Sequence, residues 1–283
     1  MKLFRFGKPG EEKPAVFLDD KKYDASAFVD DYDEEFFSGG GIQQLQQLIR
    51  DHFDQFILLP ANVRLGPPVG RPSKIICIGL NYIDHALETK SPVPKEPIIF
   101  LKSQTAICGP NDDVILPKNS IKTDWEVELA VVVGKKASYV PLEKAEEYIA
   151  GYLLHNDYSE REFQLERGGQ WVKGKSCDTF APLGPFLVTP DEIDDVYNLK
   201  MWLTVNGKMM QESSTGNMIF KVPFLIHYIS QFMTLLPGDI ISTGTPKGVG
   251  LGFNPPVYLK DGDVVELSIE GLGSAKQNIR SFQ

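Results

Sequence analysis

The sequence is poor in cysteine, in positive charge and in long apolar runs, and each shortage argues against a class of protein. The three cysteines, Cys77, Cys108 and Cys177, form no Cys-x-x-Cys motif. This odd number is typical of buried reduced thiols and gives no sign of a disulfide framework. Lysine and arginine number 29 against 38 aspartates and glutamates, so the net charge is −9. Such an acidic chain is a poor partner for nucleic acids or anionic membranes.

Long hydrophobic segments are also missing. No stretch approaches the ~18 consecutive apolar residues of a membrane span, and the first residues, MKLFRFGKPGEEKP, lack the apolar run of a secretory signal. Together with the reduced thiols, these features predict a cytoplasmic protein. The remaining composition, 42% hydrophobic and 24% charged, is that of an ordinary globular protein.

Two units are predicted along the chain. The first contains a short strand at residues 3–6, a hairpin in AVFLDDKKYDAS and an amphipathic helix in QQLQQLIRDHFDQF. A segment rich in proline and glycine follows, ANVRLGPPVGRPSK, which is typical of a linker. We therefore expect a small N-terminal α+β domain over residues 1–70 and a catalytic domain over residues 71–283.

The second unit has the pattern of a strand-rich α+β fold. In MWLTVNGKMMQ, Asn206 and Gly207 separate two extended runs, which is a strong hairpin signal. The segment DGDVVELSIEGLGSAKQNI predicts another pair of strands. Helices are fewer, and we expect one near residues 141–150 and one in VPFLIHYISQFM. The regular alternation of strand and helix found in doubly wound sheets does not occur.

The segment TDWEVELAVVVG, residues 123–134, predicts a buried strand that nevertheless carries two carboxylates. A period of two places Glu126 and Glu128 on one face, about 7 Å apart. An edge strand with one wet face is the simplest explanation. However, Asp157 at the end of the apolar segment AGYLLHND adds a third carboxylate, and three converging carboxylates repel one another without a counter-ion. Because all-oxygen ligation suits Mg²⁺ or Mn²⁺, we expect a divalent metal site. His155 lies on the same face of the strand and is a further candidate ligand, although a packed or supporting role is favoured.

His85 and Glu88 lie three residues apart in KIICIGLNYIDHALE, so one helical turn places them on the same face. A carboxylate in that position can orient an imidazole as a general base, although a surface His–Glu pair has equal weight on this pattern alone. The next segment, ALETKSPVPKEP, contains three prolines and no apolar periodicity. It predicts an exposed loop able to act as a lid.

Two further segments offer ligand-binding groups. WVKGKSCDTF contains Lys173 and Lys175, and a lysine near the carboxylates would bind an anionic substrate or an enolate. A solvated loop lysine is the ordinary alternative. ISTGTPKGVGLG is rich in glycine but lacks the order of a nucleotide phosphate loop. Its glycines favour a close approach of the backbone and Thr245 to a small ligand.

Taken together and in this order, these segments resemble the fumarylacetoacetate hydrolase family. The resemblance runs from about residue 74 to the C-terminus and rests on GLNYIDHALE, PIIFLK, DWEVELAVVVG, HNDYSEREFQ, KGKSCDTF and PGDIISTGTPKGVG. It implies a mixed β-sandwich roll, usually dimeric, so we expect a homodimer. It also implies Mg²⁺ or Mn²⁺ at Glu126, Glu128 and Asp157, a lid-borne His85–Glu88 dyad, a lysine at Lys175, and substrate contacts from Arg161, Gln164 and Thr245.

The resemblance further implies chemistry on small anionic 2-oxo acids. The whole-chain pattern is most similar to the branch that includes 2,4-diketo-3-deoxy-sugar-acid hydrolases. We therefore predict a Mg²⁺-dependent hydrolase that cleaves the C–C bond of a 2,4-dioxo acid, either an acylpyruvate or a diketo-deoxy sugar acid, and releases pyruvate. The alternatives are an oxaloacetate decarboxylase, a 2-oxo acid isomerase or hydratase, and a non-catalytic ligand-binding relative.

The choice between the two substrate classes depends on what surrounds the substrate's tail. Besides Arg161, Gln164 and Thr245, the hydroxyl-rich run of Ser213, Ser214 and Thr215 is a candidate wall for the tail. A polar wall leaves hydrogen-bonding groups unpaired beside an apolar tail, which disfavours such substrates. On this hypothesis a hydroxylated sugar acid is preferred, whereas a solvated loop at residues 213–215 would give no such preference.

Overall fold

The computed structural model describes residues 1–88 and 92–283 and shows a strand-rich α+β protein. The strands are β1 Lys2–Phe6, β2 Lys13–Leu18, β3 Lys21–Asp24, β4 Ile57–Leu58, β5 Leu65–Gly66, β6 Ile75–Gly79, β7 Ile98–Lys102, β8 Ile107–Cys108, β9 Val114–Leu116, β10 Thr123–Asp124, β11 Val127–Val133, β12 Ile149–Asn156, β13 Ser159–Glu160, β14 Ala181–Pro182, β15 Leu187–Val188, β16 Lys200–Val205, β17 Lys208–Ser214, β18 Ile240–Ser242, β19 Val264–Ile269 and β20 Gly273–Ser281. The α-helices are α1 Glu34–Ser38, α2 Gly41–His52, α3 Ile83–Glu88, α4 Val172–Lys175 and α5 Val222–Ile229. Shorter 3₁₀ turns include Leu142–Tyr148 and Gly250–Gly252, and a π-helical turn spans Glu162–Glu166.

Two mixed sheets form the body of the protein. The larger has eleven strands in the order β4-β3-β2-β1-β15-β12-β11-β18-β6-β7, with β5 also paired to β1. The smaller runs β17-β16-β19-β20-β9 and packs against β11 and β12. Most neighbours are antiparallel, but β18 and β6 are parallel, as are β20 and β9. The predicted mixed β-sandwich architecture is confirmed.

Strand β11 lies inside the large sheet, because it pairs with β12 on one side and with β18 on the other. All seven of its residues are buried, as expected for a strand of β-branched residues that is covered on both faces. Consequently the edge-strand explanation for Glu126 and Glu128 is wrong. Their carboxylates are enclosed in the protein, so they need partners there.

The hairpins predicted from turn residues are present. Asp19 and Asp20 both have positive φ between β2 and β3, and Asn206 and Gly207 have positive φ between β16 and β17. Positive φ at both central positions is the geometry of the tight hairpin turns that favour these residue types. The predicted β19–β20 pair also forms. Near residues 141–150 the helical prediction is met by a 3₁₀ turn and not by an α-helix.

The N-terminal residues extend the large sheet. Strand β1 pairs with β2 and β5, and it also pairs with β15, where Lys2 lies opposite Val188 and Leu3 opposite Leu187. The sheet therefore continues across the boundary predicted near residue 70, and the division into two domains stays a prediction. Residues 89–91, within the predicted lid segment, lie outside the described residues. None of the described helices is long and apolar enough to span a membrane.

Buried Asp239 holds the start of the parallel pair β6–β18. One carboxylate oxygen accepts from the Ser73 hydroxyl (2.6 Å) and the Lys74 amide (3.1 Å). The other accepts from the Leu236 amide (2.7 Å) and pairs with Lys74 Nζ (2.5 Å). A buried charge is tolerated when it is fully hydrogen-bonded in this way.

Asp239→Ala is expected to lower the free energy of unfolding by about 1.5–3 kcal/mol, because it leaves donors without their charged acceptor. Urea denaturation measures this loss. Asp194→Ala is the matched control, since Asp194 is exposed and surface substitutions usually change stability by less than ~0.5 kcal/mol. Equal stability of the two variants would contradict the assigned role of Asp239.

Candidate active site and metal centre

Three carboxylates converge where β11 begins and β12 ends. Val127 of β11 pairs with Asn156 of β12, so Glu126 and Asp157, just outside the pair, lie next to each other. Glu128, two residues further, is on the same face. The three side chains are buried, and one oxygen from each lies within 4.8 Å of the others. The structure thus brings together the three residues predicted as metal ligands.

The carboxylates already have cationic partners, which corrects the premise that no counter-ion was present. Lys175 Nζ donates to Glu126 Oε2 (2.7 Å) and Asp157 Oδ2 (2.9 Å). Lys102 Nζ donates to Asp157 Oδ1 (2.5 Å), and Arg161 Nη2 pairs with Glu126 Oε1 (2.7 Å). Lys102 was missed in the sequence. The feature that could have identified it is its position as a lysine at the end of the apolar strand IIFLK.

These cations keep two of the carboxylates ionised. Burial raises the pKa of Asp157, but Lys102 and Lys175 outweigh it and hold that pKa well below its ordinary value. Burial also raises the pKa of Glu126, and Lys175 with Arg161 brings it below its usual range. An opposite charge within a few ångströms stabilises the charged form in this manner. Both side chains are therefore ready to act as anionic ligands.

Glu128 is in a different situation. The Ser242 hydroxyl (2.5 Å) and the Gly244 amide (2.9 Å) donate to its Oε2, and no described cation forms an ion pair with it. Burial, followed by the charges of Asp157 and Glu126, raises the pKa of Glu128 well above its ordinary value. Without a metal, this carboxyl group therefore tends to hold a proton.

The charges at the centre of the site do not balance without one more positive charge. Among the described residues, the buried carboxylates that meet at this point are Asp124, Glu126, Glu128 and Asp157, and the buried cations in contact with this group are Lys102, Lys175 and Arg161. A proton on Glu128 supplies the missing charge, whereas a divalent cation would supply it and leave one positive charge for an anionic substrate. The carboxylate donors are hard oxygen ligands, so the residues fit Mg²⁺ or Mn²⁺.

The His85–Glu88 pair lies on α3 beside the cluster. His85 Nδ1 is 3.4 Å from Glu88 Oε2. Both oxygens of Glu88 accept from the Gly248 amide, at 3.0 and 3.1 Å. The imidazole is 12% exposed and lines a partly enclosed cavity. The alternative of a solvated surface pair is therefore wrong for His85.

The cavity has a volume of about 60 Å³ and unites most of the predicted site residues. It is lined by Ile78, Gly79, Leu80, His85, Phe100, Glu126, Glu128, Arg161, Gln164, Trp171, Lys175 and Thr245. The polar members form one part of the wall, and the aromatic rings of Phe100 and Trp171, 5.3 Å apart in an edge-on arrangement, form another. Neither aromatic residue was predicted from the sequence.

Arg161 uses most of its hydrogen-bond donors on other residues of the protein. Its Nε and Nη2 contact Asp124 Oδ2 at 2.8 Å, its Nη2 also pairs with Glu126, and its Nη1 donates to Gln164 Oε1 at 3.0 Å. Of the five N–H donors of a guanidinium group, these contacts use four. Arg161 is first a counter-ion for Asp124 and Glu126, with at most one donor left for a ligand.

Of the remaining residues predicted to bind a ligand, Lys175 and Thr245 line the cavity and Lys173 does not. Lys175 is buried at the carboxylates, whereas Lys173 is exposed and donates to the Arg167 carbonyl (2.7 Å). Thr245 lines the cavity, and its hydroxyl donates to the Val127 carbonyl at 3.0 Å. Of the two lysines in WVKGKSCDTF, only Lys175 belongs to the site.

His155 is not among the clustered ligands but lies behind Glu128. Its Nδ1 is 2.6 Å from Ser242 Oγ, the hydroxyl that donates to Glu128. Burial lowers the pKa of His155 to about 3, so the ring is neutral. Since Ser242 gives its proton to Glu128, Nδ1–H donates to Ser242, and the chain of hydrogen bonds fixes the orientation of the carboxylate.

The hydroxyl residues predicted to face the substrate's tail do not line the cavity. Ser213 Oγ donates to Asp84 Oδ2 (2.7 Å). Thr215 is buried, and its hydroxyl accepts from the Leu199 amide at 2.9 Å. The hypothesis that residues 213–215 form a polar wall is therefore wrong, because these side chains hold the β17 end in place.

Comparison with known proteins agrees with this geometry. The family model for the fumarylacetoacetate (FAA) hydrolase C-terminal domain matches residues 74–280. The chain belongs to this family. A candidate hydrolase of Burkholderia multivorans is 51% identical over 283 residues, with 99% of each chain covered.

Two solved structures are similar to the whole chain and cover all of both chains. Maleylpyruvate hydrolase from Sphingobium sp. SYK-6, in complex with manganese(II) and pyruvate, has 30% sequence identity and a TM-score of 0.83. The 5-carboxymethyl-2-hydroxymuconate delta-isomerase from Mycobacterium smegmatis has 34% identity and a TM-score of 0.78. The chain therefore has the fold of the family's hydrolases and isomerases, and membership supports an enzyme.

Metal affinity is expected to rise with pH. In the metal-free protein the raised pKa of Glu128 keeps a proton that must leave when a cation binds. Below that pKa the apparent affinity should increase by up to about tenfold per pH unit, and above it the affinity should level off. Calorimetric titration with Mn²⁺ in buffers of different ionisation enthalpy measures both the affinity and the protons released.

Glu128→Gln is the matched control, since it keeps the shape but cannot exchange a proton. It should bind Mn²⁺ more weakly, because one anionic ligand is lost, and its binding should release about one proton fewer. An affinity of the unaltered protein that does not change between pH 5 and 8 would contradict the assigned state of Glu128.

Proposed function

We propose that this protein is a divalent-metal-dependent hydrolase that cleaves the C–C bond of 2,4-dioxo acids and releases pyruvate. The observation that supports this most strongly is the meeting of His85, Lys175 and the carboxylate cluster at one small cavity. A non-catalytic relative would need neither an oriented histidine nor a buried lysine there. The similarity to a maleylpyruvate hydrolase that holds manganese and pyruvate points in the same direction.

Glu126, Glu128 and Asp157 would hold Mg²⁺ or Mn²⁺, which when bound supplies Lewis-acid stabilisation for negative charge on the 2-oxo-acid head of the substrate. The protein's contribution is to keep these oxygens fixed. Lys175, Arg161 and Lys102 hold Glu126 and Asp157, and Ser242 with the Gly244 amide holds Glu128.

His85 acts as the general base. It takes a proton from water as the water oxygen bonds to C4 of the substrate. The C3–C4 bond then breaks, C3 keeps the electron pair as the enolate of pyruvate, and the acyl fragment leaves as a carboxylic acid. Protonation of C3 completes pyruvate. Glu88, itself held by the Gly248 amide, orients the imidazole for the first of these steps.

Lys175 serves as a fixed positive charge. Burial lowers the pKa of its ammonium group, but Asp157 and Glu126 outweigh burial and raise that pKa above its ordinary value. The group therefore stays protonated and does not act as a base. Its Nζ lies 5.0 Å from the centre of the Phe100 ring, at the cavity wall, where it can stabilise the charge that develops on the substrate.

Phe100 and Trp171 favour an acylpyruvate over a sugar acid. With residues 213–215 directed elsewhere, these two rings supply the large apolar surface beside the polar head site. Apolar or planar tails gain from burial against aromatic rings, whereas hydroxyl groups would lose water without gaining partners there. Arg161, Gln164 and Thr245 then contact the head of the substrate and not a hydroxylated tail.

One alternative has a specific observation in its favour. The similarity to a delta-isomerase suggests isomerisation of a 2-oxo acid, a reaction that needs a base and charge stabilisation but no attacking water. Oxaloacetate decarboxylation likewise requires no water attack. Release of pyruvate together with a carboxylic acid distinguishes hydrolysis from both.

We also propose that the protein is a homodimer. Strand β7 lies at one end of the large sheet, and Ile98 and Leu101 on it are 36% and 41% exposed. An exposed apolar edge strand is a common place for chain association. The oligomeric state by light scattering tests this.

His85→Ala should lower kcat for an acylpyruvate by roughly 10²–10⁴, the usual contribution of a general base. Mn²⁺ and pyruvate binding should stay nearly unchanged, since no metal-ligand atom is removed. Steady-state kinetics and calorimetry measure the two quantities. The control is His52→Ala, a histidine on the exposed side of α2. Parallel loss of binding and rate would show that His85 has a structural role instead.

The substrate preference is tested by comparing kcat/KM for acetylpyruvate with that for a 2,4-diketo-3-deoxy sugar acid. We expect acetylpyruvate to be favoured by about tenfold or more, because unpaired hydroxyl groups beside the aromatic wall cost about 1–3 kcal/mol each. Trp171→Ser should lower the ratio of kcat/KM for acetylpyruvate to that for the sugar acid, because it replaces an aromatic wall residue with a hydroxyl group. A clear preference for the sugar acid in the unaltered enzyme would overturn the proposed tail site.

A further inference from the structure

The loop formed by residues 248–252, which we call the bridging loop, lies between the two halves of the site. At its start, the Gly248 amide donates to both oxygens of Glu88. In its middle, the amides of Gly250 and Leu251 donate to Asp124, at 2.6 and 3.0 Å. The same short stretch of backbone therefore binds the dyad carboxylate and a second, fully buried carboxylate.

Asp124 connects the bridging loop to the metal-binding carboxylates. Its Oδ2 also contacts Arg161 Nε and Nη2 at 2.8 Å, and Arg161 Nη2 pairs with Glu126 Oε1 at 2.7 Å. A continuous series of hydrogen bonds thus runs from Glu126 through Arg161 and Asp124 to the loop, and from the loop to Glu88. The part of this series from Asp124 through the loop to Glu88 does not include a residue assigned to the metal or the head of the substrate.

Two glycines at the ends of the loop are packed closely against neighbouring residues. A Cβ atom at Gly252 would lie 2.8 Å from both Cδ and Oε2 of Glu88 and 3.2 Å from Oε1, and these are the nearest described atoms. At Gly248, φ is +96° and a Cβ would lie 2.0 Å from the Met210 carbonyl oxygen. A side chain at Gly252 would displace the Glu88 carboxylate, whereas one at Gly248 would displace the backbone at Met210, so the present shape of the loop depends on glycine at both positions.

We propose that Asp124 and the bridging loop position the His85–Glu88 dyad over the carboxylate cluster. The inference rests on the proposed hydrolase function for its kinetic readout. Asp124 contacts neither His85 nor Glu88, so it is a positioning residue that acts through the loop. Gly252 contributes by its lack of a side chain.

The main test is Gly252→Ala in the Mn²⁺-loaded full-length protein, because the added methyl group meets Glu88 before any other described residue. Displacing Glu88 by about 1 Å should lower kcat for acetylpyruvate by up to about 10²-fold. KM for acetylpyruvate and the affinity for Mn²⁺ should stay within about twofold, since the carboxylate cluster is untouched.

A double-mutant cycle separates positioning from general damage to the structure. In a Glu88→Ala background, Gly252→Ala should cause no further loss, because the group that it displaces is already gone. An undiminished effect of Gly252→Ala in that background would overturn the proposal, as would full activity of the single variant.

Hydrogen exchange supplies a readout that requires no turnover. In Gly252→Ala, amide exchange in residues 83–88 should accelerate while exchange in β11 and β12 stays the same. Asp124→Asn should accelerate exchange in the loop and in residues 83–88 together, because an amide nitrogen then faces backbone donors. Unchanged exchange in residues 83–88 in both variants would overturn the proposal.

Glu88→Asp provides a second variant if Gly252→Ala does not fold. It shortens the side chain by one methylene without crowding the loop, and it should give the same faster exchange in residues 83–88; unchanged exchange there counts against the proposal. If the unaltered protein cleaves no 2,4-dioxo acid, the proposed hydrolase function fails, whereas the exchange measurements still decide whether the loop positions the dyad.

Discussion

A carboxylate buried in protein must replace the water that it loses, and this requirement organises the centre of the molecule. Asp157 and Glu126 are compensated by lysine and arginine, whereas Glu128 is compensated by neutral donors and keeps a raised pKa. The three cations come from β7, α4 and the start of the π-helical turn. These elements must therefore pack around the end of the β11–β12 pair, and the cavity is the space that they leave.

In this arrangement a bound metal ion and a proton on Glu128 compete, because either one offsets the excess negative charge of the cluster. Lys175 cannot fill the gap, because it is already shared between Glu126 and Asp157. The same lysine lies at the cavity wall beside Phe100. The ammonium group of Lys175 thus stabilises the carboxylate ligands and is also placed to stabilise charge on a substrate. A displacement of this group would weaken both interactions.

Much of the site could be predicted where one element fixes the geometry. The strand period placed Glu126 and Glu128 together, and a helical turn placed His85 beside Glu88. Residues brought in by long-range contacts could not be predicted in this way. Lys102 reaches Asp157 from β7, 55 positions away, and Asp124 reaches the amide of Gly250 across 126 positions. The prediction that the hydroxyls of residues 213–215 form a polar wall failed for the same reason, because a run of hydroxyl residues does not show which distant residues their side chains contact.

The pairing of β1 with β15 gives the N-terminal residues a protective role. Strand β15 has only two residues and meets β12 at a single register position, Tyr152 opposite Val188. Removing β1 would leave that short strand as the new edge of the large sheet, with open backbone donors and acceptors next to the apolar residues of β12. Such an edge recruits strands from other molecules, so a shortened chain would be prone to self-association, and solubility during synthesis would depend on the first strand finding its place in the sheet.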